Sequence, residues 1–495
     1  MATPRAEDQA GGLRYSSGPG RWVLLATVLG SGVAALDATV VNVALPAIGE
    51  DLGGGVAGLQ WVLNGYLLTL ASLILLGGSL GDRFGRRRVF IVGLAWFACA
   101  SALCGLAPNV GVLVAARALQ GVGGALLTPG SLAIIESSFR PDDRGRAIGA
   151  WSGLGGIATA IGPLAGGWLV DAVSWRTIFL LNLPLVAVTI VIAVRHVPES
   201  SDVSMARRID VNGAVLGAAG LAGLTYALIE GPGRGATSPP IVLAALIGVA
   251  GIAGFVMAEK RGRHPMLPLD IFASRLFAAA NLVTFAVYAA LGGTFFLFVV
   301  HLQVVLGYSP LAAGAAMFPV TVLMLLLSPR AGSLAQRIGP RVPMSVGPVL
   351  IAGGLLVMSR VDAGSRYVSD VLPGVLLFGL GLACTVAPLT ATVLAAAEDR
   401  HAGVASGVNN AVARVAGLLA IAVLPVIAGL SKDDFAHPSQ FAAGFRVAIT
   451  TAAGLALAGG VLAWLTIRSD EPMSRRLPDE YHCAAGAPPL RPAHH

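Results

Sequence analysis

The sequence predicts an all-α integral membrane protein with about fourteen transmembrane helices, arranged as six, two and six. Its residues are 55% hydrophobic and only 12% charged, with a mean hydropathy of +0.78, whereas soluble domains carry about 25% charged residues. Apolar runs recur along the whole chain, and each is long enough to cross a bilayer core about 30 Å thick. Basic residues concentrate in alternate gaps between these runs. The composition excludes a soluble enzyme, a disordered chain and a fibrous protein.

Fourteen apolar runs supply the predicted spans, and the first is too long and too poor in a cleavage site to be a removable signal peptide. Segments 1–20 and 468–495 remain as tails. The runs lie at about 22–47, 60–80, 89–107, 111–135, 146–170, 177–195, 210–230, 241–258, 276–302, 311–329, 342–359, 370–396, 402–430 and 442–467.

The distribution of basic residues predicts the orientation. With a cytoplasmic amino terminus, 25 of the 33 Lys and Arg residues fall in cytoplasmic tails and loops, five fall outside and three lie within spans. An excess of Lys and Arg marks the cytoplasmic side. The sequence therefore predicts a multi-pass protein of the plasma (inner) membrane with both tails cytoplasmic. The basic residues form short scattered clusters, so the net charge of +7 does not indicate a nucleic-acid partner.

An internal repeat divides the chain. The string GSLGDRFGRR at 78–87 returns as GSLAQRIGPR at 332–341. This spacing predicts two pseudo-symmetric six-helix halves, at 21–195 and 276–467, with two extra central helices and linkers at 196–275. Parallel halves of this kind are a transporter architecture in which the substrate path lies at the interface.

Charged residues inside spans are candidate functional residues, because a charge at mid-membrane costs at least about 2.5–3.5 kcal/mol. Asp37 in the first span and Arg117 in the fourth reach similar depth at a rise of about 1.5 Å per residue. We expect them to form a direct or water-bridged ion pair if their helices are neighbours. The pair either couples transport to protonation of Asp37 or is a permanent structural link.

Arg414 and several uncharged polar residues are weaker candidates for the substrate path. Arg414 lies near the middle of the thirteenth span, where it faces an aqueous cavity or binds backbone carbonyls of a broken helix. Buried polar groups in a membrane need partners or water, so the others either line the path or tie helices together. They are Asn42, Asn64, Gln120, Gln303 and Asn409.

The string GPLAGG at 162–167 places a proline and three glycines inside the fifth span. Proline removes a helical hydrogen bond, and glycine allows close helix approach. The segment is either a bend that closes one side of the pathway or a plain packing seam. Its candidate residues are Gly162, Pro163, Gly166 and Gly167.

The loop GSLGDRFGRRR at 78–88 is a candidate gate at the cytoplasmic end of the second span. We expect its aspartate to accept backbone N–H groups at a helix start. We also expect its arginines to pair with Asp142 and Asp143 on the facing loop, although a plain positive-inside cluster explains the arginine count alone. The candidate gating residues are Gly78, Asp82, Arg83, Gly85 and Arg86.

Other chemistry has no support in the sequence. No metal-ligand cluster, catalytic triad or phosphate-binding loop is recognisable, so we expect no catalytic residue, metal or cofactor. The four cysteines show no disulfide or metal spacing. Since no ATPase domain is present in the chain, transport would draw on an ion gradient.

Five strings resemble motifs of the major facilitator superfamily, and more narrowly of the fourteen-span drug:proton antiporters of the EmrB/QacA type. They are LDATVVNVALP, GSLGDRFGRRR, RALQGVGGA, GPLAGG and WRTIFLLNLP. The resemblance implies the major facilitator fold, with Asp37 as the acid tied to proton coupling and Arg117 as its partner in the fourth span. It assigns the 78–88 loop to gating and 162–167 to the antiporter motif, which favours export over uptake.

Some positions depart from the family pattern. Ala158 replaces the leading glycine of the antiporter motif, Gln336 replaces an aspartate in the second loop copy, and the tenth span has no acid in its middle. We therefore expect a monomeric exporter of lipophilic, neutral or weakly charged drugs in exchange for protons. A symporter or facilitator for a small metabolite remains an alternative, as does a polytopic membrane enzyme or non-transporting sensor.

Overall fold

The computed structural model of the chain describes residues 12–201, 210–262, 267, 269–396, 402–430 and 437–467. These residues are almost entirely helical, and their only β-type pairing is an isolated bridge between Leu13 and Phe139. The predicted carboxyl-terminal tail and most of the amino-terminal tail lie outside the described residues.

Fourteen helices in the described ranges are long and apolar enough to span a bilayer, which confirms the predicted all-α membrane fold. Several extend a few residues beyond the apolar runs, because capping residues and polar first turns continue the helix past the hydrocarbon region. The helices are α1 (Gly18–Leu52), α2 (Gly55–Phe84), α3 (Arg86–Gly105), α4 (Val110–Ser138), α5 (Pro141–Ala172), α6 (Thr177–His196), α7 (Val211–Arg234), α8 (Pro239–Arg261), α9 (Arg275–Val304), α10 (Pro310–Ile338), α11 (Arg341–Met358), α12 (Tyr367–Ala395), α13 (Ala402–Ile427) and α14 (Pro438–Thr466).

Local sequence explains where the helices begin and end. The Ser17 hydroxyl accepts the Gly20 N–H at the start of α1, and the Asn109 side chain accepts the Val112 N–H at the start of α4. Such caps satisfy amide groups that have no partner within the helix. Gly85 ends α2 with a φ of 104°, a backbone conformation that favours glycine.

Helices α1–α6 and α9–α14 repeat the same packing pairs. In the first set α2 and α3 pack on α4, and α1 packs on α5 and α6. In the second set α10 and α11 pack on α12, and α9 packs on α13 and α14. The contacts between the sets are also matched, since α2 packs on α13 and α5 packs on α10. This is the arrangement that a duplicated unit with pseudo-twofold symmetry produces.

The intervening helices α7 and α8 pack against each other, and α7 also packs against α2 and α13. Glycines let the two backbones approach closely, because a Cβ at Gly251 would lie 2.6 Å from the Gly220 nitrogen. The Trp61 indole of α2 donates to Glu230 of α7 at 3.0 Å. Helix α7, with α8 packed against it, therefore lies along the line where α2 meets α13.

Candidate functional site

The predicted ion pair between Asp37 and Arg117 is confirmed. Arg117 Nη1 lies 2.5 Å from Asp37 Oδ2, and each side chain is only 1% exposed. The contact forms because α1 packs directly on α4. Both charges are thus removed from solvent, a situation in which paired geometry and additional hydrogen bonds are needed to offset desolvation.

Polar side chains complete the coordination of the Asp37 carboxylate. Its Oδ1 atom accepts hydrogen bonds from Gln120 Nε2 at 2.8 Å and from Asn182 Nδ2 at 3.0 Å. The Gln120 carbonyl in turn accepts from Arg117 Nη1 at 2.6 Å. Ser101 Oγ receives hydrogen bonds from both amides and donates to the Phe179 carbonyl. The carboxylate therefore accepts three donors from α4 and α6.

The Arg117 guanidinium is held from its other sides by α2 and α6. Its Nε donates to the Val62 carbonyl at 3.1 Å. The guanidinium carbon lies 4.5 Å from the Tyr66 ring centroid and 5.8 Å from that of Phe179. Aromatic faces attract a guanidinium most strongly where water is excluded. Four helices thus fix one buried positive charge and its partner.

Asn182 and Ser101 are site residues that were not predicted from the sequence. Asn182 belongs to the WRTIFLLNLP string, whose first two residues attach the start of α6 to α1: Trp175 Nε1 and Arg176 Nη1 both donate to Asp51 Oδ2. With that end fixed, the following turns place Asn182 beside Asp37. The signal that could have identified Asn182 from the sequence was an asparagine within an apolar run.

A cavity of about 350 Å³ lies between the two sets of helices. Arg117 forms part of its wall, whereas Asp37 does not. Apolar lining predominates, including Phe295 and Phe318, and no Asp or Glu is among the described residues that line it. The polar lining side chains are Thr39, Asn42, Tyr66, Arg117, Thr159, Tyr288, Thr321 and Arg414.

A second cavity, of about 210 Å³, adjoins the first. Tyr288, Ala413 and Arg414 line both, so Arg414 stands at the junction. Helix α13 is continuous around this residue, and in the described structure Arg414 has no hydrogen-bond or ion-pair partner within reach. Of the two predicted alternatives, the structure therefore supports the cavity-facing arginine over binding to the carbonyls of a broken helix.

The other residues predicted to line the substrate path lie at different sites, and only some of them line a cavity. Asn42 lines the central cavity, and Gln120 belongs to the ion-pair network. Gln303 donates to the Val43 carbonyl of α1 at 3.0 Å, so it links the two sets of helices. Asn409 ties α13 to α9 through Asn281 and Thr284 and also lines the second cavity. Asn64 is fully buried, and its side-chain polar atoms have no hydrogen-bond partner in the described structure.

The glycines of GPLAGG lie at close helix contacts. Gly162 faces Thr39 and Gly166 faces Val40, both on α1. Gly167 faces the other set of helices, where a Cβ would lie 2.5 Å from the Leu311 Cα atom. Pro163 presents its carbonyl to Gly314 of α10. The segment therefore packs closely on α1 and also joins α5 to the opposite set, while its role in closing one side of the pathway stays a prediction.

The segment at 78–88 was predicted as a loop but is helical except at Gly85, because α2 continues to Phe84 and α3 begins at Arg86. Its partners also differ from the prediction. Asp82 forms an ion pair with Arg86 at 2.8 Å instead of accepting backbone N–H groups at a helix start. Glu199 takes that role, accepting the Arg87 N–H at 3.1 Å.

The expected pairing of the loop arginines with Asp142 and Asp143 is not present among the described ion pairs. Arg87 and Arg88 instead lie 3.6 Å from Glu199, because this carboxylate follows α6 closely enough to reach the start of α3. Arg83 lies over the Phe84 ring. Asp143 accepts the Tyr15 N–H. Gly78 makes only ordinary van der Waals contact, whereas a Cβ at Gly85 would collide with Glu199.

Within the described ranges, no group of three or more His, Cys, Asp or Glu side chains is placed to hold a metal ion. Cys99, Cys104 and Cys384 are free thiols. Among the described residues, the charged side chains that line the central cavity are therefore two arginines, and one of them is paired with a buried carboxylate.

Comparisons with known proteins agree with this architecture. The model of the Major Facilitator Superfamily matches residues 27–421. The chain is 36% identical over 468 residues to the puromycin resistance protein pur8 of Streptomyces alboniger, covering 91% of this chain and 92% of that protein. It is 38% identical over 430 residues to the tetracenomycin C resistance and export protein of Streptomyces glaucescens, covering 87% and 79%.

A solved structure of a POT family transporter in complex with a thioalcohol conjugated peptide has the same fold, with a TM-score of 0.67. It is 14% identical, and the match covers 90% of this chain and 95% of that one. This likeness concerns the fold alone. The family match and the identity to the two resistance proteins together show that the chain is a transporter of the major facilitator superfamily.

Proposed function

We propose that the chain is a proton-coupled antiporter that exports lipophilic drugs, antibiotics or related small molecules by alternating access. Its two six-helix halves would be 21–195 and 276–467, with both tails in the cytoplasm and a monomer in the plasma (inner) membrane as the working unit. The names of two relatives, which concern puromycin resistance and tetracenomycin C resistance and export, support the cargo class. No bound cofactor is required, because the proton gradient supplies the energy.

One observation carries the proposal: Arg117 belongs both to the cavity wall and to the buried ion pair with Asp37. Cargo in the cavity and a proton on Asp37 therefore act on the same guanidinium. Protonation of Asp37 would remove the charge that holds Arg117 in its present position. Deprotonation would restore the ion pair and the hydrogen bonds from Gln120 and Asn182.

Contacts between the halves indicate which side is closed. Gln303 donates to the Val43 carbonyl, Gln60 donates to the Ile421 carbonyl, and the Leu311 N–H donates to Asp171. All three contacts lie toward the end where α1 finishes, which the distribution of basic residues predicts to be extracellular. We infer that this conformation presents the cavity toward the cytoplasm, the side from which an exporter loads. Rocking of the halves would break these contacts and release cargo outward.

The test uses purified full-length chain in proteoliposomes with an imposed pH gradient. Accumulation of a panel that includes puromycin and tetracenomycin C is followed with and without a protonophore. Uphill movement in the exporting direction that collapses with the gradient supports the antiporter. Gradient-driven movement in the opposite direction would identify a symporter, and no movement of any compound would count against drug transport.

A further inference from the structure

Arg414 is a cavity-facing cation with no counter-ion in the part of the chain that the structure describes. It lines both the central cavity and the adjoining cavity. No carboxylate of the described structure lies within ion-pair distance of it. Arg117, in contrast, has Asp37 at 2.5 Å. Of the two arginines on the wall of the central cavity, one is neutralised and the other is not.

The cavity walls therefore carry excess positive charge. No Asp or Glu is among the described residues that line either cavity. An unpaired arginine inside a membrane protein is costly and is by default a functional candidate. In a site with low-dielectric walls, a single uncompensated charge concentrates ligands of the opposite sign.

The two cavities differ in polarity. Around Arg414 the adjoining cavity is lined by Ser406, Asn409, Asn410 and Thr390. The central cavity is mainly apolar, with Phe295 among its aromatic side chains. An amphiphile could therefore place a charged group at Arg414 and an apolar body in the central cavity. The volume of about 350 Å³ is at the lower end of the range for ligand sites, about 300–1,000 Å³.

Resting on the proposed function, we propose that Arg414 is a substrate-binding residue that selects aromatic compounds carrying an oxyanion, such as a carboxylate or a phenolate. The guanidinium fork matches a carboxylate with two parallel N–H···O bonds. Tyr288 and the polar residues of the adjoining cavity would solvate the charged group, and the apolar lining would hold the ring system. Neutral and cationic analogues of the same shape bind more weakly, because Arg414 then remains unpaired or faces a like charge.

Binding of an anion at Arg414 would make export sensitive to the membrane potential. Exchange of one entering proton for one leaving monoanion moves two charges in the same electrical sense, whereas exchange for a monocation moves none. One elementary charge crossing 100 mV corresponds to about a 50-fold change in the accumulation ratio. Export of the anion therefore responds to membrane potential even without a pH gradient, and export of a matched cation does not.

The test compares three probes with one ring system: anthracene-9-carboxylate, anthracene-9-carboxamide and (anthracen-9-ylmethyl)trimethylammonium. Equilibrium binding to the purified full-length chain is measured by fluorescence in the absence of any gradient. The variants are Arg414→Gln, Arg414→Lys and, as a matched control, Arg446→Gln. Arg446 lies on α14, is 58% exposed and does not line either cavity.

We expect wild type and Arg446→Gln to bind the carboxylate at least tenfold more tightly than the carboxamide or the ammonium. Arg414→Gln should lose that preference and bind the carboxamide within twofold of wild type, and Arg414→Lys should retain a preference of intermediate size. If Arg414→Gln does not fold, the assignment is tested by the carboxylate preference of the wild type and by its reduction in Arg414→Lys. Equal affinity for the three probes, no binding of any, or a carboxylate preference that survives in Arg414→Gln would overturn the assignment.

Vesicle experiments separate this inference from the proposed function. Potential-driven export of the carboxylate, absent for the ammonium, supports the anion assignment. Proton-driven export of uncharged drugs with no carboxylate preference leaves the antiporter proposal standing and removes the role of Arg414. Carboxylate-selective binding without proton-driven export of any compound would support the role of Arg414 and count against the antiporter proposal.

Discussion

Asn182 Nδ2 lies 3.0 Å from Asp37 Oδ1, so helix α6 contributes directly to the buried ion pair of α1 and α4. The same amide donates to Ser101 of α3 at 2.9 Å. Residues of four helices of the first set thus belong to one hydrogen-bond network around the Asp37 carboxylate. A change of charge on Asp37 therefore alters the contacts of α3, α4 and α6 together, which is the requirement for coupling a proton to helix movement.

Replacement of Asp37 by asparagine should abolish pH-gradient-driven export to background while the chain remains in the membrane. The amide cannot take up and release a proton, and Arg117 loses its counter-ion. Loss of one partner of a buried ion pair costs about 3–5 kcal/mol, so the thermal midpoint should also fall. Glu50→Gln on the same helix is the control, since the Glu50 side chain is exposed and lies outside the ion-pair network. Wild-type uphill export by Asp37→Asn would contradict the coupling role.

Replacement of Asn182 by leucine should reduce coupled export by about tenfold or more with Asp37 still in place. A hydrogen bond to a charged group contributes about 1.5–3 kcal/mol, and Asn182 is one of three donors to this carboxylate. Initial export rates and thermal unfolding are measured together. Thr189→Val is the matched control, because this buried α6 hydroxyl bonds only to the Leu185 carbonyl of its own helix. Unchanged export by Asn182→Leu would assign Asn182 a packing role.

Replacement of Gly167 by alanine should hold the predicted extracellular end open. The added methyl group would lie against the backbone at Leu311, where α5 meets α10. We expect export to fall about tenfold, with increased labelling of a cysteine introduced at Asn42 by an external membrane-impermeant thiol reagent. Gly155→Ala is the control on the same helix, because a Cβ there meets nothing within 4 Å. Equal labelling of the two variants would exclude this seam as a gate.

Replacement of Glu199 by alanine should weaken the start of α3. The Glu199 carboxylate accepts the Arg87 N–H and lies near two arginine side chains. Loss of a helix cap costs about 0.5–2 kcal/mol, and exposed ion pairs add at most about 1 kcal/mol. The thermal midpoint should fall for Glu199→Ala and stay unchanged for Asp142→Asn. The reverse order would favour the latch that the sequence predicted over the contacts that the structure describes.

The sequence was sufficient for the fold class and for the central ion pair. Fourteen spans follow from the length of apolar runs, because a bilayer core demands that length of every spanning helix. Asp37 and Arg117 were identifiable because charges inside spans are rare, and the uniform helical rise places them at similar depth.

Contacts between distant helices could not be predicted in this way. Nothing in the local pattern distinguishes the arginine at 87, which pairs with Glu199, from one that would pair with Asp142. In the sequence, Asn182 is an isolated polar residue. Its place beside Asp37 follows only from the contacts of Trp175 and Arg176 with Asp51, which fix the start of its helix. The predicted capping role of Asp82 failed for the same reason, because the nearest partner is decided by packing.

The sequence by itself determined that this chain has fourteen membrane-spanning helices and that Asp37 and Arg117 lie at similar depth within two of them, because hydropathy and helical rise are local properties. Only the tertiary structure decided that Arg117 is neutralised while Arg414 faces a cavity with no ion-pair partner among the described residues. Whether a charge is compensated depends on which helices pack together, and helix packing depends on surfaces that are far apart in the chain.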